Sequence, residues 1–280
     1  MRVAVTGASG FIGRHVVTEL AACGARVVAV TRDAARLGEL PRGAGVVEMD
    51  IADPGTGCFD RLGSPDVLVH LAWDGLPNYK SPYHFETELP RQYFFIKNLV
   101  QGGLGSLVAT GTCFEYGMQS GALSEELPPR PTTPYGYAKD ALHRQLCFLK
   151  SQHPFCLNWA RLFYMYGAGQ SASSLFPKLK EAALRGDRIF DMSGGEQLRD
   201  YLPVTEVARR IVRLALCGRE LGTVNICSGE PVSVRALVEK WLRENGWNLE
   251  LNLGHYPYPD YEPMAFWGAP SVARKSSIFS

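Results

Sequence analysis

The sequence predicts an α/β fold, a doubly wound parallel sheet with a smaller C-terminal α/β lobe. Two observations carry the prediction. Short β-branched runs alternate with helix-length periodic segments through the first 165 residues or so, the pattern of repeated βαβ units. A glycine loop, Thr6-Gly7-Ala8-Ser9-Gly10-Phe11-Ile12-Gly13, stands between the first such run and the first helical segment. The length of 280 residues is slightly under two average domains of roughly 100–200 residues, enough for one large unit with an appendage.

Strands are expected near 2–6, 26–31, 45–48, 66–70, 105–110 and 155–162. Amphipathic stretches near 11–22, 84–101 and 135–151 are long enough for the crossover helices that parallel strands require. After Gly167-Ala168-Gly169-Gln170 the alternation stops, and turn-rich segments such as Met192-Ser193-Gly194-Gly195-Glu196 mix with isolated helices. One helix opens near Thr205-Glu206, with Thr205 as its N-cap, and carries Ala208, Ile211, Val212, Leu214 and Ala215 at helical spacing. Another covers 233–245 and is capped by Ser233. The stretch from His255 to Pro270 reads as irregular but ordered, because its many Tyr, Phe and Trp side chains would not stay solvated. Residues 1–165 therefore form the sheet domain, and residues 166–280 a smaller lobe interwoven with it.

Composition narrows the partners. Hydrophobic residues at 46% and charged residues at 20% support a sizeable core and exclude disorder. Twenty-nine basic against 28 acidic residues leave a net charge of +1 without like-charge runs, which argues against a nucleic-acid or membrane partner and for a small one. The apolar stretches are interrupted and shorter than the roughly 18 residues of a membrane span. The start, Met1-Arg2-Val3-Ala4-Val5-Thr6, lacks the apolar core and cleavage site of a signal peptide, so a cytoplasmic location is expected. Seven cysteines, Cys23, Cys58, Cys113, Cys147, Cys156, Cys217 and Cys227, include no C-x-x-C pair. They suit free thiols rather than disulfides or a metal site.

The glycine loop follows the first strand and opens the first helix. In that setting glycines allow a tight turn, close backbone approach to a pyrophosphate and close helix–strand packing, with the phosphates at the positive helix end. A dinucleotide site is expected at Gly7, Gly10, Phe11, Ile12 and Gly13. The spacing G-x-x-G-x-x-G resembles the extended short-chain dehydrogenase/reductase family, which implies a Rossmann-type cofactor domain. NAD-selective members of that family end the second strand with an acid, where this chain reads Val30-Thr31-Arg32-Asp33. With Thr31 at that position, the repelling carboxylate is missing and Arg32 can pair with a 2′-phosphate. NADP (NADPH) is thus the expected cofactor. NAD remains open if Asp33 reaches the ribose or if Arg32 is only a solvated turn residue. Asp50-Ile51 matches the pair that holds the adenine in the family, and His70-Leu71-Ala72-Trp73 matches an H-x-A run lining the cofactor cleft, which implies roles for Leu71 and Ala72.

Tyr135-Gly136-Tyr137-Ala138-Lys139 puts Tyr135 and Lys139 at i and i+4, on one face of a helix that starts near Pro134. A phenol with a pKa near about 10 is a poor acid–base group at neutral pH, and a neighbouring ammonium favours its ionised form. Lys139 would also hold the nicotinamide ribose. In the family a catalytic Ser or Thr lies five residues before the glycine of a Tyr-Gly stretch. Thr110-Gly111-Thr112-Cys113-Phe114-Glu115-Tyr116-Gly117 then points to Thr112, whose hydroxyl would orient the reacting carbonyl beside Tyr135.

Beyond the cofactor half, Ala160 to Gly167 and Gly195 to Val204 resemble the R-x-x-N-x-Y-G and G-x-x-x-R-D-Y-x-x-V segments of the NAD-dependent epimerase/dehydratase group. There the arginine of R-D-Y grips a nucleotide diphosphate, which implies Arg199 here. A doubly negative pyrophosphate suits a planar multi-donor cation, and the alternative is an Arg199/Asp200 surface pair. Tyr164 replaces the group's substrate-binding asparagine, and Asn78, Tyr79 and Leu175-Phe176 are further candidates for sugar and base contacts. The 4,6-dehydratases of the group carry Thr-Asp-Glu where this chain has Thr112-Cys113-Phe114, so dehydration is not expected.

Trp73-Asp74-Gly75-Leu76-Pro77-Asn78-Tyr79, the Thr112 to Gly117 run and the tail Pro257 to Pro263 together look like bacterial reductases of dTDP-4-keto-6-deoxyhexoses in surface-polysaccharide (O-antigen, lipopolysaccharide) synthesis. That resemblance implies a nucleotide-diphosphate keto sugar as substrate. A 4-epimerase recycling NAD is the alternative, and a cofactor-sensing regulator without chemistry is a third reading. Cys113 is read as a pocket-lining thiol, with proton abstraction, as in fucose-forming epimerase/reductases, the minor option. Related enzymes pair the helices equivalent to 84–101 and 135–151 across a dimer interface, and Gln92-Tyr93-Phe94-Phe95-Ile96 permits a homodimer here.

Overall fold

The computed structural model describes residues 1–279. Its β-branched runs become the strands β1 (Arg2–Thr6), β2 (Arg26–Thr31), β3 (Gly45–Glu48), β4 (Val67–His70), β5 (Ser106–Thr112), β7 (Cys156–Leu162) and β12 (Gly222–Ile226). All are parallel, in the order β12-β7-β5-β4-β1-β2-β3. The winding reverses between β1 and β4, and at such a reversal a crevice opens at the carboxyl ends of the strands.

Period-two alternation supplies both faces of the sheet. Val3 and Val5 pack on one side against α1 (Phe11–Ala22) and α6 (Val204–Leu216), through Val16, Val17, Leu20, Val207 and Ile211. Ala4, Leu68, Leu107 and Trp159 pack on the other against α3 (Leu89–Gln101) and α4 (Pro134–Gln152), through Phe95, Ile96, Leu99, Leu142 and Leu146. A single turn, α2 (Cys58–Arg61), precedes β4.

The remaining elements form the second lobe and its ties to the sheet. β8 (Tyr164–Tyr166) pairs with β11 (Tyr201–Pro203), β9 (Ile189–Asp191) with β14 (Glu250–Asn252), β10 (Leu198–Arg199) with β13 (Val232–Ser233), and β6 (Gly121–Ser124) with β15 (Phe266–Ala269). α5 (Leu175–Arg185) and α7 (Val234–Asn245) enclose a separate core of Leu179, Phe190, Val238, Trp241 and Leu242, and a short α8 (Ser271–Ser276) follows β15.

Several expectations need correction. The sheet has a seventh strand, β12, which together with α6 comes from beyond residue 166. Its Gly222-Thr223-Val224-Asn225-Ile226 run is too short and polar to stand out among turns. Thr205 does not cap α6. Pro203 precedes Val204 directly, with no side-chain cap, because β11 runs straight into the helix. Ser233 does cap α7, accepting the Ala236 N–H at 3.1 Å. The 84–101 stretch is a π turn, His84–Glu88, followed by α3. Pro90 stands in the first turn of α3, where a missing N–H is tolerated but a continuous helix through it is not. Residues 266–269 of the expected irregular tail are strand β15.

Candidate active site

The crevice at the end of β1 is a cavity of about 300 Å³. Its floor is the glycine loop. Gly7 has φ +68°, and a Cβ there would lie 3.0 Å from the Ala72 amide nitrogen, while one on Gly13 would lie 2.1 Å from the Gly7 carbonyl oxygen. The loop, β4 and α1 can approach this closely only with glycine. Gly7 and Gly10 line the cavity, as does Ser9. Phe11, Ile12 and Gly13 instead build the first turn of α1, where Ile12 packs on the core. Gly10 caps α1 without a side-chain bond, leaving the first-turn N–H groups for an anion.

Thr31 and Arg32 line the cavity at the end of β2, Asp50 and Ile51 after β3, and Leu71, Ala72 and Trp73 after β4. The Thr31 hydroxyl meets Ser9 Oγ at 3.1 Å. The Asp33 carboxylate accepts the Ala35 N–H at 2.9 Å. Arg32 is 59% exposed and lies 3.7 Å from Asp74 Oδ2. Arg36, which the sequence reading missed, lines the same wall. The cleft fits a dinucleotide on its own geometry: a pressed glycine loop, free helix N–H groups and two guanidinium groups beside Thr31.

His70 does not line the cleft. It is buried between Thr6 Oγ1, at 2.8 Å from its Nδ1, and Gln92 Oε1, and it stacks on Phe95. Burial lowers its pKa to about 4, against the Gln92 hydrogen bond. The ring is therefore neutral when folded, whereas unfolded it binds a proton below about 6.5. Its contribution is complete above pH 6.5 and is lost as pH falls toward 4. About 3 kcal/mol is involved at 1.36 kcal/mol per unit. Urea unfolding between pH 7.5 and 4.5 should show this loss, and His70→Gln should flatten that limb.

Thr112, Tyr135 and Lys139 converge beside the cleft. Thr112 ends β5 and caps the turn that follows, accepting from Phe114 N at 3.3 Å while its own N–H donates to Glu115 Oε1 at 2.8 Å. Thr133 caps α4 through the Gly136 N–H at 3.1 Å. A Cβ on Gly136 would lie 2.5 Å from the Phe114 carbonyl oxygen, so this glycine lets the start of α4 press on the Thr112 turn. The Tyr135 hydroxyl is thereby brought to the Thr112 side chain, whose influence works against the upward shift of the phenol. Lys139 Nζ donates to the Thr110 carbonyl at 2.9 Å and lies 3.9 Å from the centre of a Trp73 ring.

The expected effect of Lys139 on the phenol is corrected by burial. Desolvation drives the Tyr135 pKa upward, aided by Tyr79, Glu115 and Cys113 and opposed by the Thr112 bond. It also pulls Lys139 down to about 7, against Glu115 and Glu88. Tyr135 is thus a protonated donor at neutral pH. Aromatic rings wall it in: His84 at 5.2 Å, Tyr79 at 5.5 Å, Trp73 at 5.9 Å and Phe114 at 6.2 Å. Trp73 Nε1 donates to His84 Nδ1 at 3.1 Å and His84 Nε2 to the Asn78 carbonyl at 2.9 Å. The loop carrying Asn78 and Tyr79 is thereby tied to the Tyr135 box, while Asn78 itself is exposed.

On the second-lobe side stand Cys113, Tyr164 and Arg199. Cys113 packs with Tyr116, Phe163, Cys227 and Phe266, and burial pushes its thiol pKa upward, against a thiolate base. The Tyr164 hydroxyl is buried and has no partner among the described residues. Arg199 is not a surface pair with Asp200. It is 2% exposed and donates to Glu262 Oε2 at 2.8 Å and to the Leu198 and Met264 carbonyls. Asp200 accepts from Ser228 and Gly229. Leu175 opens α5 and packs on the second-lobe core.

The family model for "NAD dependent epimerase/dehydratase family" matches residues 3–227. The chain is 30% identical over 271 residues to the dTDP-6-deoxy-L-talose 4-dehydrogenase (NAD(+)) of Aggregatibacter actinomycetemcomitans, covering 96% of this chain and 100% of that one. It is 28% identical to the dTDP-6-deoxy-L-talose 4-dehydrogenase (NAD(P)(+)) of Kitasatospora kifunensis, covering 92% and 83%. Among solved structures, MoeE5 in complex with UDP-glucose and NAD aligns with a TM-score of 0.79 at 28% identity, covering 98% of this chain and 91% of that one.

Proposed function

The chain belongs to the NAD-dependent epimerase/dehydratase family of extended short-chain dehydrogenase/reductases, NAD(P)-dependent oxidoreductases, and from that premise we propose that it reduces the 4-keto group of a dTDP-4-keto-6-deoxyhexose. The observation that carries the reading is the Thr112–Tyr135–Lys139 constellation beside the glycine-loop cleft, with a phenol that burial keeps protonated. Reduction requires a proton donor and an orienting hydroxyl, and no further carboxylates at the sugar. The reduced nicotinamide supplies the hydride when bound. Tyr135 gives its proton to the oxygen that becomes the C4 hydroxyl, while Thr112 orients the carbonyl. Lys139 holds the nicotinamide ribose.

Gly7, Gly10 and the first turn at Phe11, Ile12 and Gly13 take the pyrophosphate, Asp50 and Ile51 the adenine, and Leu71 and Ala72 the ring side of the cofactor. NADPH is preferred because Thr31, Arg32 and Arg36 surround the expected 2′-phosphate position while Asp33 is engaged with Ala35. Arg199 takes the substrate diphosphate, exchanging its Glu262 carboxylate for it, and Asn78, Cys113, Tyr164 and Leu175 shape the sugar and base subsites. The reaction belongs in the cytoplasm, where reduced nicotinamide is supplied, on the route to bacterial surface polysaccharide such as O-antigen. Mixing the protein with dTDP-4-keto-6-deoxyglucose and NADPH or NADH should consume cofactor absorbance stoichiometrically. No loss with any keto sugar nucleotide overturns the reading, and inversion without net cofactor loss assigns an epimerase instead.

A homodimer through α3 and α4 accompanies this reading. Phe94 at 57%, Tyr137 at 54% and Phe148 at 75% exposure leave an aromatic outer face on that helix pair. Phe94→Glu with Phe148→Glu should shift the molar mass measured by light scattering from dimer to monomer.

A further inference from the structure

His84 is fully buried at the opening of the π turn before α3, and both of its ring nitrogens are committed. An indole N–H can only donate, so His84 Nδ1 accepts from Trp73 Nε1 at 3.1 Å. Nε2 then carries the ring proton and donates it to the Asn78 carbonyl at 2.9 Å. One tautomer is fixed, with neither a proton nor a lone pair left to exchange. The ring centre lies 5.2 Å from that of Tyr135, yet a ring so engaged cannot serve as an acid or base there. Its effect on the phenol has to run through what it holds.

It holds the loop that follows β4. Gly75 has φ +84°, and a Cβ there would lie 3.0 Å from Tyr83 Cδ1 and 3.1 Å from His84 Cε1, so glycine lets the loop press on the imidazole. Further along, two consecutive carbonyls face two different partners: that of Asn78 accepts from His84, and that of Tyr79 accepts the Tyr135 N–H at 3.1 Å. This N–H belongs to the first turn of α4, where backbone donors have no partner within the helix. A single stretch of loop backbone therefore joins His84 to the backbone of Tyr135. The Tyr79 ring, carried by the same stretch, rests 4.9 Å from Phe114 and 5.5 Å from Tyr135.

The other nitrogen secures the other wall. Trp73, bonded to Nδ1, lies 5.9 Å from the Tyr135 ring and presents its own ring to Lys139 Nζ at 3.9 Å. His84 thus anchors by hydrogen bonds two elements that touch Tyr135 mainly through ring contacts, which alone are weakly directional.

We propose that His84 is a positioning residue for Tyr135: through Trp73 Nε1 and the Asn78 carbonyl it locks the loop and the ring walls that hold the phenol where a keto carbonyl would meet it. This rests on the reductase reading of the site. The closing test separates hydrogen bonding from packing. His84→Phe keeps a flat ring beside Tyr135 and loses both hydrogen bonds, whereas His84→Gln supplies an amide able to accept from Trp73 and donate to Asn78. In the full chain, His84→Phe should lower kcat with dTDP-4-keto-6-deoxyglucose and NADPH about ten- to a hundredfold, the scale of loss when a reacting group is displaced by about 1 Å. It should also speed hydrogen exchange at the Tyr135 amide, followed by mass spectrometry, while ADP affinity, which reports the glycine loop, stays unchanged. His84→Gln should return both kcat and exchange toward the parent values. A His84→Phe variant with parental kcat and exchange overturns the proposal, as does a His84→Gln variant no better than His84→Phe. A fall in ADP affinity matching that in kcat also overturns it, because the residue would then support the fold at large. If the parent reduces no keto sugar nucleotide but exchange responds as expected, the reductase reading fails and the hold of His84 on Tyr135 stands.

Discussion

Tyr135→Phe is expected to lower the rate of keto-sugar reduction by a factor of about 10²–10⁴, the range for removing a positioned general acid, with little effect on cofactor binding. The substitution deletes one oxygen. The ring stays in contact with His84, Tyr79, Trp73 and Phe114, so packing is preserved. What goes is the buried hydroxyl beside Thr112. An interaction used only in the transition state lowers kcat and kcat/KM together and leaves NADPH affinity alone. Stopped-flow single-turnover rates with a fluorescence titration of NADPH separate the two. A loss below tenfold would remove Tyr135 from the chemistry. Thr112→Val is the natural companion, since it keeps the shape of the strand end and removes the orienting hydroxyl.

The sequence disclosed these parts unequally, for physical reasons. Glycine spacing and an i, i+4 pair are local signals, and they led to the cleft floor and to Tyr135 and Lys139. Thr112 was reachable by counting back from Gly117. Glu88 and Gln92 were not. They sit on the buried face of a stretch that reads as an ordinary amphipathic helix, 3% and 0% exposed, and no local pattern says which distant groups such an acid and amide will meet. Arg36 lies in a short 3₁₀ turn without periodicity. β12 contributes five residues to the sheet, and its place is decided by pairing with β7, a partner some sixty residues earlier in register. Glu262 reaches Arg199 over a separation of 63 residues, which no local pattern encodes. Burial likewise reversed the expected electrostatics of Tyr135, because desolvation is a property of the packed molecule.

Arg161→Met should destabilise the protein by about 3–5 kcal/mol, the cost of leaving a buried charge without its partner, out of a total stability of roughly 5–15 kcal/mol. Arg161 and Glu115 are 2% and 0% exposed and pair at 2.8 Å beneath the turn that follows Thr112. Glu115 also accepts Trp159 Nε1 at 3.1 Å and the Thr112 N–H at 2.8 Å. One carboxylate therefore joins β7 to the residue proposed to orient the substrate carbonyl. Met matches the aliphatic length of Arg161 and can keep its packing on the Tyr116 ring, where the guanidinium carbon now lies 4.4 Å from the centroid. The loss should then come mainly from the stranded Glu115 charge. Adding Glu115→Gln to Arg161→Met removes that charge and retains an acceptor for Thr112 and Trp159, so the double variant should be more stable than the sum of the two single changes. Urea denaturation of all four proteins closes this cycle. An Arg161→Met variant within 1 kcal/mol of the parent, or strict additivity, would show that the pair does not hold the turn. Reduction rates measured on the same proteins then follow Thr112: recovery of activity with recovery of stability assigns Glu115 the task of keeping that hydroxyl beside Tyr135.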